Sequence, residues 1–452
     1  MRNNTTLNIS LVARGAAACR RALSLTVVAV LCACTAATAQ NAFNLPYSQF
    51  GLGETGSPYD APLAGAIGGT LFATRSSNMV NPYNPASYSA VESESFVFVV
   101  GLTLQQFKMK DPASSLSDFD GSLSHLTMAM PITRWWKTSL GLTPYSETAY
   151  ESTMQTTGNA EGTVKTIYDG SGEIFRIYWG NAFNIGRHWS VGANINYLYG
   201  DILHSVSYDL SASSNFVSSR KLTAINLSAL TFDIGTQYTV SLTERRQLTV
   251  GLSLQLPRTM KSSDSAWIYT MSSASSETST AYSLVDNMSY RSDVELPASV
   301  GFGVSYEYDS RWRLSADVAY APWHGMKYTS AATNPVMNTD ATAYDKNCSF
   351  ALSAAWLGNR EAASYWQRIG LRAGLHYEVG HAHLNLNDGA HSLNQFGAGF
   401  GLIFPMRKGR SRLEISLGYS SLGSADLLRV NCTTIGLSLS SCEQWFTKRK
   451  YN

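Results

Sequence analysis

The chain is poor in charge, in cysteine and in long apolar runs, and each shortage excludes a class of protein. Charged residues make up 15% of 452, with 34 basic against 32 acidic, so there is no basic footprint for nucleic acid. Of six cysteines, Cys19, Cys32 and Cys34 precede residue 40, leaving Cys348, Cys432 and Cys442. An odd set is a poor disulfide framework. Cys432 and Cys442 could pair, or stand as small buried or lipid-facing residues. No apolar stretch reaches the roughly 20 residues of a membrane helix. No heptads, linker or shift in composition divides the chain.

The chemistry of sites is thin as well. His381 and His383, with His376 and His391 nearby, have no carboxylate or Cys at ligand spacing and read as a solvated loop, so no metal is assigned. Gly397-Ala398-Gly399-Phe400-Gly401 sits inside an alternating stretch with no helix after it, which suits close strand packing better than phosphate. No Ser/His/Asp arrangement and no carboxylate pair stands out. The chain therefore reads as a non-enzyme without catalytic residues or cofactor.

What is present begins at the N-terminus. Arg14, Arg20 and Arg21 precede an apolar run from Ala22 to Ala33, followed by Ala37-Thr38-Ala39 before Gln40. A basic region, a short apolar core and an A-x-A site together predict a signal peptide over residues 1–39. Leu31-Cys32-Ala33-Cys34 offers a competing lipoprotein-type cleavage with lipidation of Cys34. Removing residues 1–39 takes four Arg and no acids, leaving 30 basic and 32 acidic residues, a formal charge of −2.

Residues 40–94 do not alternate and are rich in Gly, Pro, Asn and Ser, with enough aromatics to predict a compact plug. From Ser95 onward, apolar and polar residues alternate with period two. On one stretch Trp312, Leu314, Ala316, Val318 and Tyr320 oppose Arg311, Arg313, Ser315 and Asp317. Val191 to Tyr199, Leu371 to Tyr377 and Leu413 to Tyr419 repeat the pattern. Fourteen strands are predicted, starting near Phe96, Phe119, Trp136, Glu173, Trp189, Leu222, Gln247, Glu295, Arg311, Ser349, Gln367, Ser392, Arg412 and Val430. Their length, the aromatics at their ends and the contrast between short turns (Arg187-His188, Asp309-Ser310) and long polar loops (259–293, 324–347) favour a membrane barrel over a soluble sandwich. The expectation is an all-β, 14-stranded antiparallel transmembrane β-barrel over 95–446, with an N-terminal hatch over 40–94 in its lumen and a basic tail over 447–452.

Certain segments also resemble a known family. Ala42-Phe43-Asn44-Leu45, Phe50-Gly51-Leu52-Gly53 and Asn84-Pro85-Ala86 resemble the N-terminal hatch of the FadL/TodX family. Glu295 to Gly301, Trp312 to Trp323 and Trp189 to Tyr197 resemble its strands. The resemblance implies passive uptake of long-chain fatty acids or other hydrophobic compounds across the outer membrane of a Gram-negative bacterium, with sideways release into the bilayer. It implies that Asn84, Pro85 and Ala86 hold the hatch turn and that Phe43 moves to vacate a ligand pocket. Departures are Ala42 in place of the family's glycine, the added Asn81-Pro82-Tyr83 and the basic tail. On the lumen face Asp317 is expected to bond the hatch, while Arg313 and Arg372 are candidates for an anionic head group or for hatch salt bridges. The expected partners are a hydrophobic small molecule and outer-membrane lipid, with no nucleic acid and a monomeric state. A second reading is a binding or shuttle barrel of a protein secretion system, holding a secreted protein. An outer-membrane enzyme would need a Ser/His pair that is not evident.

Overall fold

A computed structural model of the chain describes residues 45–49, 52–54, 70–110, 115–158, 162–210, 218–271, 281–325, 327–330, 342–344, 346–359, 361–380, 382–386, 389–406, 411–423 and 428–444. The signal peptide, Phe43 and the basic tail lie outside these residues. The strands in chain order are β1 (Ser95–Lys110), β2 (Ser115–Pro131), β3 (Trp136–Gly158), β4 (Gly162–Ile185), β5 (Trp189–Asp209), β6 (Ser218–Thr243), β7 (Arg246–Gln255), β8 (Arg258–Met271), β9 (Ala281–Leu296) and β10 (Ser299–Tyr308). They continue with β11 (Trp312–Pro322), β12 (Lys327–Ser330), β13 (Thr342–Tyr344), β14 (Lys346–Trp356), β15 (Gly370–Val379), β16 (Ala382–Leu386), β17 (Gly389–Ser392), β18 (Gln395–Pro405), β19 (Arg412–Gly423) and β20 (Arg429–Gln444).

Fourteen of these close one antiparallel ring: β1 to β7 in order, then β10, β11, β14, β15, β18, β19 and β20, which pairs back onto β1 from Ser95↔Gln444 to Lys110↔Arg429. A closed ring leaves no backbone edge in hydrocarbon, which is why only barrels span membranes with strands. β8, β9 and β12 are outer continuations of β7, β10 and β11. The first two breaks fall at Leu256-Pro257 and Pro297-Ala298, where proline has no N–H to give to the ladder.

The faces are sorted as the alternation predicts. Leu314 is 56% exposed and Val318 37%, whereas Ser315 and Asp317 between them are 7% and 5% exposed. Exposed apolar rows recur on β5 (Ile195, Tyr197), β6 (Leu230, Phe232, Ile234), β14 (Phe350, Leu352) and β19 (Ile415, Leu417). An outward apolar band on a barrel faces lipid. Aromatic girdles mark its edges, with Trp189 and Trp312 at one end and Tyr197 and Tyr320 eight residues along. At about 3.3 Å per residue that is roughly 26 Å of strand. The tight turn Tyr308–Arg311 carries Asp309 and Ser310 at φ 55° and 50°, with Arg311 N donating to Tyr308 O at 3.1 Å. That is the primed turn whose twist matches a hairpin.

Three expectations need correction. Most of the predicted loop 259–293 is strand: β8 pairs with β6 from Ser218↔Met271 to Ser228↔Lys261, and with β9 throughout. Likewise β4 begins at Gly162 instead of near Glu173, and the predicted loop 324–347 contains β12 and β13. Beyond the membrane these strands have water outside, so Ser and Thr replace the apolar rows that make a strand legible. The result is a sheet of β3 to β6, β8 and β9 that projects past the band on one side. Of the two readings left open for Cys432 and Cys442, pairing is not the one adopted. Neither is in a disulfide, and both are buried, ten residues apart on β20, some 33 Å of strand by the same rise.

Candidate functional site

Described residues between Thr70 and Val91 bond to inward-facing side chains of β5, β6, β7, β11 and β20. Asn84 is buried with an extended backbone (φ −133°) and its Oδ1 accepts from Ala86 N at 3.1 Å, capping the short helical turn Pro85–Ala90. Pro85 at the first helical position presets φ and needs no acceptor. The Asn84 amide reaches across to Phe72 O at 2.6 Å, and Gln237 on β6 donates to the same carbonyl at 2.9 Å. Asn84, Pro85 and Ala86 are thus all buried in one turn against the wall. Glycine makes the approach feasible: a Cβ on Gly235 would stand 2.1 Å from Asn84 Oδ1, and one on Gly251 would stand 2.0 Å from Phe72 O.

Wall residues complete the attachment from several sides. Leu71 N and Phe72 N both donate to Asp317 Oδ2 on β11, the second at 3.1 Å. Asn194 on β5 donates to Pro82 O at 2.9 Å and accepts from the Tyr88 hydroxyl at 3.0 Å. Ser253 on β7 donates to Tyr83 O at 2.8 Å, and Ser440 on β20 donates to Asn78 O. Arg75 is the only charged residue between Thr70 and Val91. It donates to Ser190 Oγ (2.7 Å), Ser89 Oγ (3.0 Å) and Gln237 Oε1 (3.3 Å), and burial pushes its pKa down to about 10. Arg313 pairs with Glu307 at 2.9 Å and donates to Arg75 O at 3.3 Å. Arg372 instead pairs with Glu414 of β19 at 2.8 Å, both fully inside the wall, and so is placed to brace β15 on β19. Beside Arg75 and Arg313, at the short-turn end, lies a polar cavity of about 590 Å³ bounded by Ser76, Glu307, Arg311 and Asn359.

The second feature is a break in the wall. β2 and β3 pair only from Leu126↔Leu142 to Pro131↔Lys137, whereas β1 with β2 and β3 with β4 pair along their lengths. Above Leu126 and Leu142 the two strands no longer pair with each other. Leu142 stands six residues above Trp136, so the seam opens inside the lipid-facing band. The free edge of β3 is met by the N-terminal segment. Glu54 N donates to Glu147 O (2.7 Å) and Glu147 N to Glu54 O (3.0 Å), while Leu45 N donates to Ala149 O (2.5 Å) and Ala149 N to Ser48 Oγ (3.0 Å). This strap satisfies an edge that would otherwise be bare.

Apolar clusters anchor the strap at both ends. Leu45 and Tyr47 pack with Phe107, Met109 and Val430 of β1 and β20, and the Tyr47 hydroxyl donates to Leu428 O at 2.6 Å. Burial, with Glu54 nearby, pushes the Tyr47 hydroxyl up to about 12. Leu52 packs with Ile174, Leu198, Ile202 and Ile225 on the inner face of β4 to β6. The inner wall is therefore polar where it holds residues 70–91 and apolar above, beside the seam. Phe43 lies outside the described residues. Sequence reasoning missed the seam, Arg75 and Gln237; the lone charge in an uncharged stretch was a usable signal for Arg75.

Comparison with known proteins places this geometry. The CymD monoaromatic hydrocarbon channel superposes with a TM-score of 0.53 at 16% identity, covering 86% of this chain and 98% of its own. A Pseudomonas aeruginosa FadL homologue gives 0.54 at 15% identity, over 89% and 100%. The Pseudomonas putida toluene transporter TodX gives 0.53 at 16% identity, over 90% and 100%. At these identities the likeness is one of fold, and the expected FadL/TodX-type barrel is borne out at that level. No curated protein matches. The model of the BamG family matches residues 22–452.

Proposed function

The chain belongs to the BamG family, and from that premise we propose that it is an outer-membrane barrel of a Gram-negative bacterium that passes hydrophobic small molecules passively into the bilayer. Residues 40–94 act as a hatch that blocks the axial path. The ligand enters at the end with long connections, rests against the apolar inner wall around Leu198 and Ile225, and leaves sideways between β2 and β3. The carrying observation is the seam: strands that part inside the lipid-facing band, patched by a strap of four hydrogen bonds. A lateral exit spares an apolar molecule the aqueous compartment beyond. Structures of like fold are a hydrocarbon channel and a toluene transporter, which agrees with this class of cargo. Phe43, just ahead of the strap, is placed in sequence to move with it.

The projecting sheet of β3 to β6, β8 and β9 favours one other reading, a binding platform for a secreted protein. Vesicles holding the purified barrel test both. The transport reading expects uptake of a labelled aromatic hydrocarbon or fatty acid well above that of empty vesicles. Absence of uptake, with a secreted protein retained through residues 258–296, would replace it with the platform.

A further inference from the structure

Four carboxylates line up across the strap and the wall beside it. Glu54 of the strap faces Glu147 of β3, Glu147 faces Glu173 of β4, and Glu173 faces Asp201 of β5, each as a direct antiparallel partner. Directly opposed residues carry their side chains on one face, so the row is continuous. Along the strands it alternates with the buried Ser146, Thr148, Ile174 and Ile202. Asp201 is four residues beyond Tyr197, so the row stands past the lipid-facing band.

Glu147 is the most crowded of them. Its N–H and C=O both go to Glu54. Toward Glu173 it is therefore a non-hydrogen-bonded partner, an arrangement that brings Cα atoms to about 4.5 Å. Like charges directly opposite one another weaken a ladder. Asp120 of β2, with Asp118 beside it, adds negative charge from across the seam, and the Tyr47 hydroxyl stands near Glu54. No Lys or Arg lies within two residues of Glu54, Asp120, Glu147, Glu173 or Asp201 in the sequence. Cations of neighbouring strands are engaged elsewhere: Arg258 with the Tyr145 hydroxyl, Arg176 with Thr143 Oγ1 at 3.0 Å and Arg220 with Asp169 at 3.4 Å. Burial, with Asp120 and Glu173 nearby, pushes the Glu147 carboxyl up to about 8. Burial raises Glu173 and Asp120 as well.

We propose that the strap is a pH-sensitive latch, held down on β3 while the facing carboxylates are protonated and lifted by their repulsion once the protons leave for solvent. Such a latch regulates the sideways exit and rests on that reading for its part in transport, whereas its closure is defined by its own four hydrogen bonds. A carboxyl raised in the closed state makes closure strongest in acid. Closure then weakens as pH climbs from the ordinary glutamate value of 4.5 towards about 8.

The test is amide hydrogen exchange on the full chain in bilayer discs, without cargo, from about pH 5 to about pH 9. Protection factors, which remove the intrinsic base catalysis, are read at the N–H groups of Leu45, Glu54, Glu147 and Ala149. Protection is expected to fall about tenfold or more across that range, while the β10–β11 ladder stays level. Glu147→Gln keeps the backbone pair without the charge and is expected to lose most of the fall, as is Glu54→Gln from the strap side. Constant or rising protection in the unaltered protein would overturn the latch, and this comparison needs no variant to fold. A fall that persists in full in both folded variants would overturn its assignment to the facing carboxylates. With no cargo present, a strap that responds to pH upholds the latch even where vesicles show no uptake, and uptake without that response removes the latch alone.

Discussion

Joining Glu54 to Glu147 by a disulfide is expected to stop uptake. The two residues face each other as a reciprocally hydrogen-bonded antiparallel pair, at 2.7 and 3.0 Å. Such pairs hold Cα atoms about 5.5 Å apart, within reach of a disulfide. In a background with Cys348, Cys432 and Cys442 changed to Ser, the Glu54→Cys/Glu147→Cys variant should oxidise without moving the wall. Each strap hydrogen bond contributes about 1 kcal/mol net, so four of them form a closure that thermal motion can open. A covalent link removes that opening. Oxidised vesicles should take up hydrophobic label at least about tenfold more slowly than reduced ones, a barrier difference of roughly 1.4 kcal/mol or more, with full recovery on adding reductant. Equal rates in the two states would detach the strap from transport.

Asp317→Ala is expected to loosen the segment from Thr70 to Tyr83 while leaving the wall intact. One carboxylate oxygen holds the N–H groups of Leu71 and Phe72, which are 0% and 9% exposed. Removing it strands two buried donors at about 1–3 kcal/mol each. A total near 3 kcal/mol corresponds to roughly a hundredfold faster amide exchange, read as local opening. Asp317→Asn keeps an acceptor without the charge and should fall between. Exchange of the β10–β11 hairpin should be unchanged, because its ladder does not involve the carboxylate. Unaltered exchange over residues 70–83 would show that other anchors suffice.

Much of this was legible from sequence and some was not, for physical reasons. Wherever lipid lies outside and polar groups lie inside, alternation is forced, so Trp312 to Tyr320 disclosed both strand and orientation. Asp317 was legible as an inward polar group bonded to the N-terminal segment because a carboxylate facing a lumen needs a donor. Arg372 carried the same pattern but pairs with Glu414 two strands away, and nothing local distinguishes a brace from a head-group site. The outer halves of β4, β8 and β9 escaped because water replaces lipid there and Ser/Thr-rich strand resembles loop. The seam was invisible in principle: β2 and β3 alternate like any neighbours, and their parting resides in pairing that no single segment encodes.

The central claim is that cargo leaves through the wall between β2 and β3. The most direct measurement is photolabelling of the reconstituted barrel by a diazirine-bearing aromatic hydrocarbon, followed by mapping of the labelled residues. The account predicts label at the edges of the seam and the wall beside it, on Leu52, Phe119, Leu142 and Leu198. Label concentrated instead around the short-turn cavity, on Ala73 to Ser77 and Leu357 to Asn359, would mean axial passage and would contradict it.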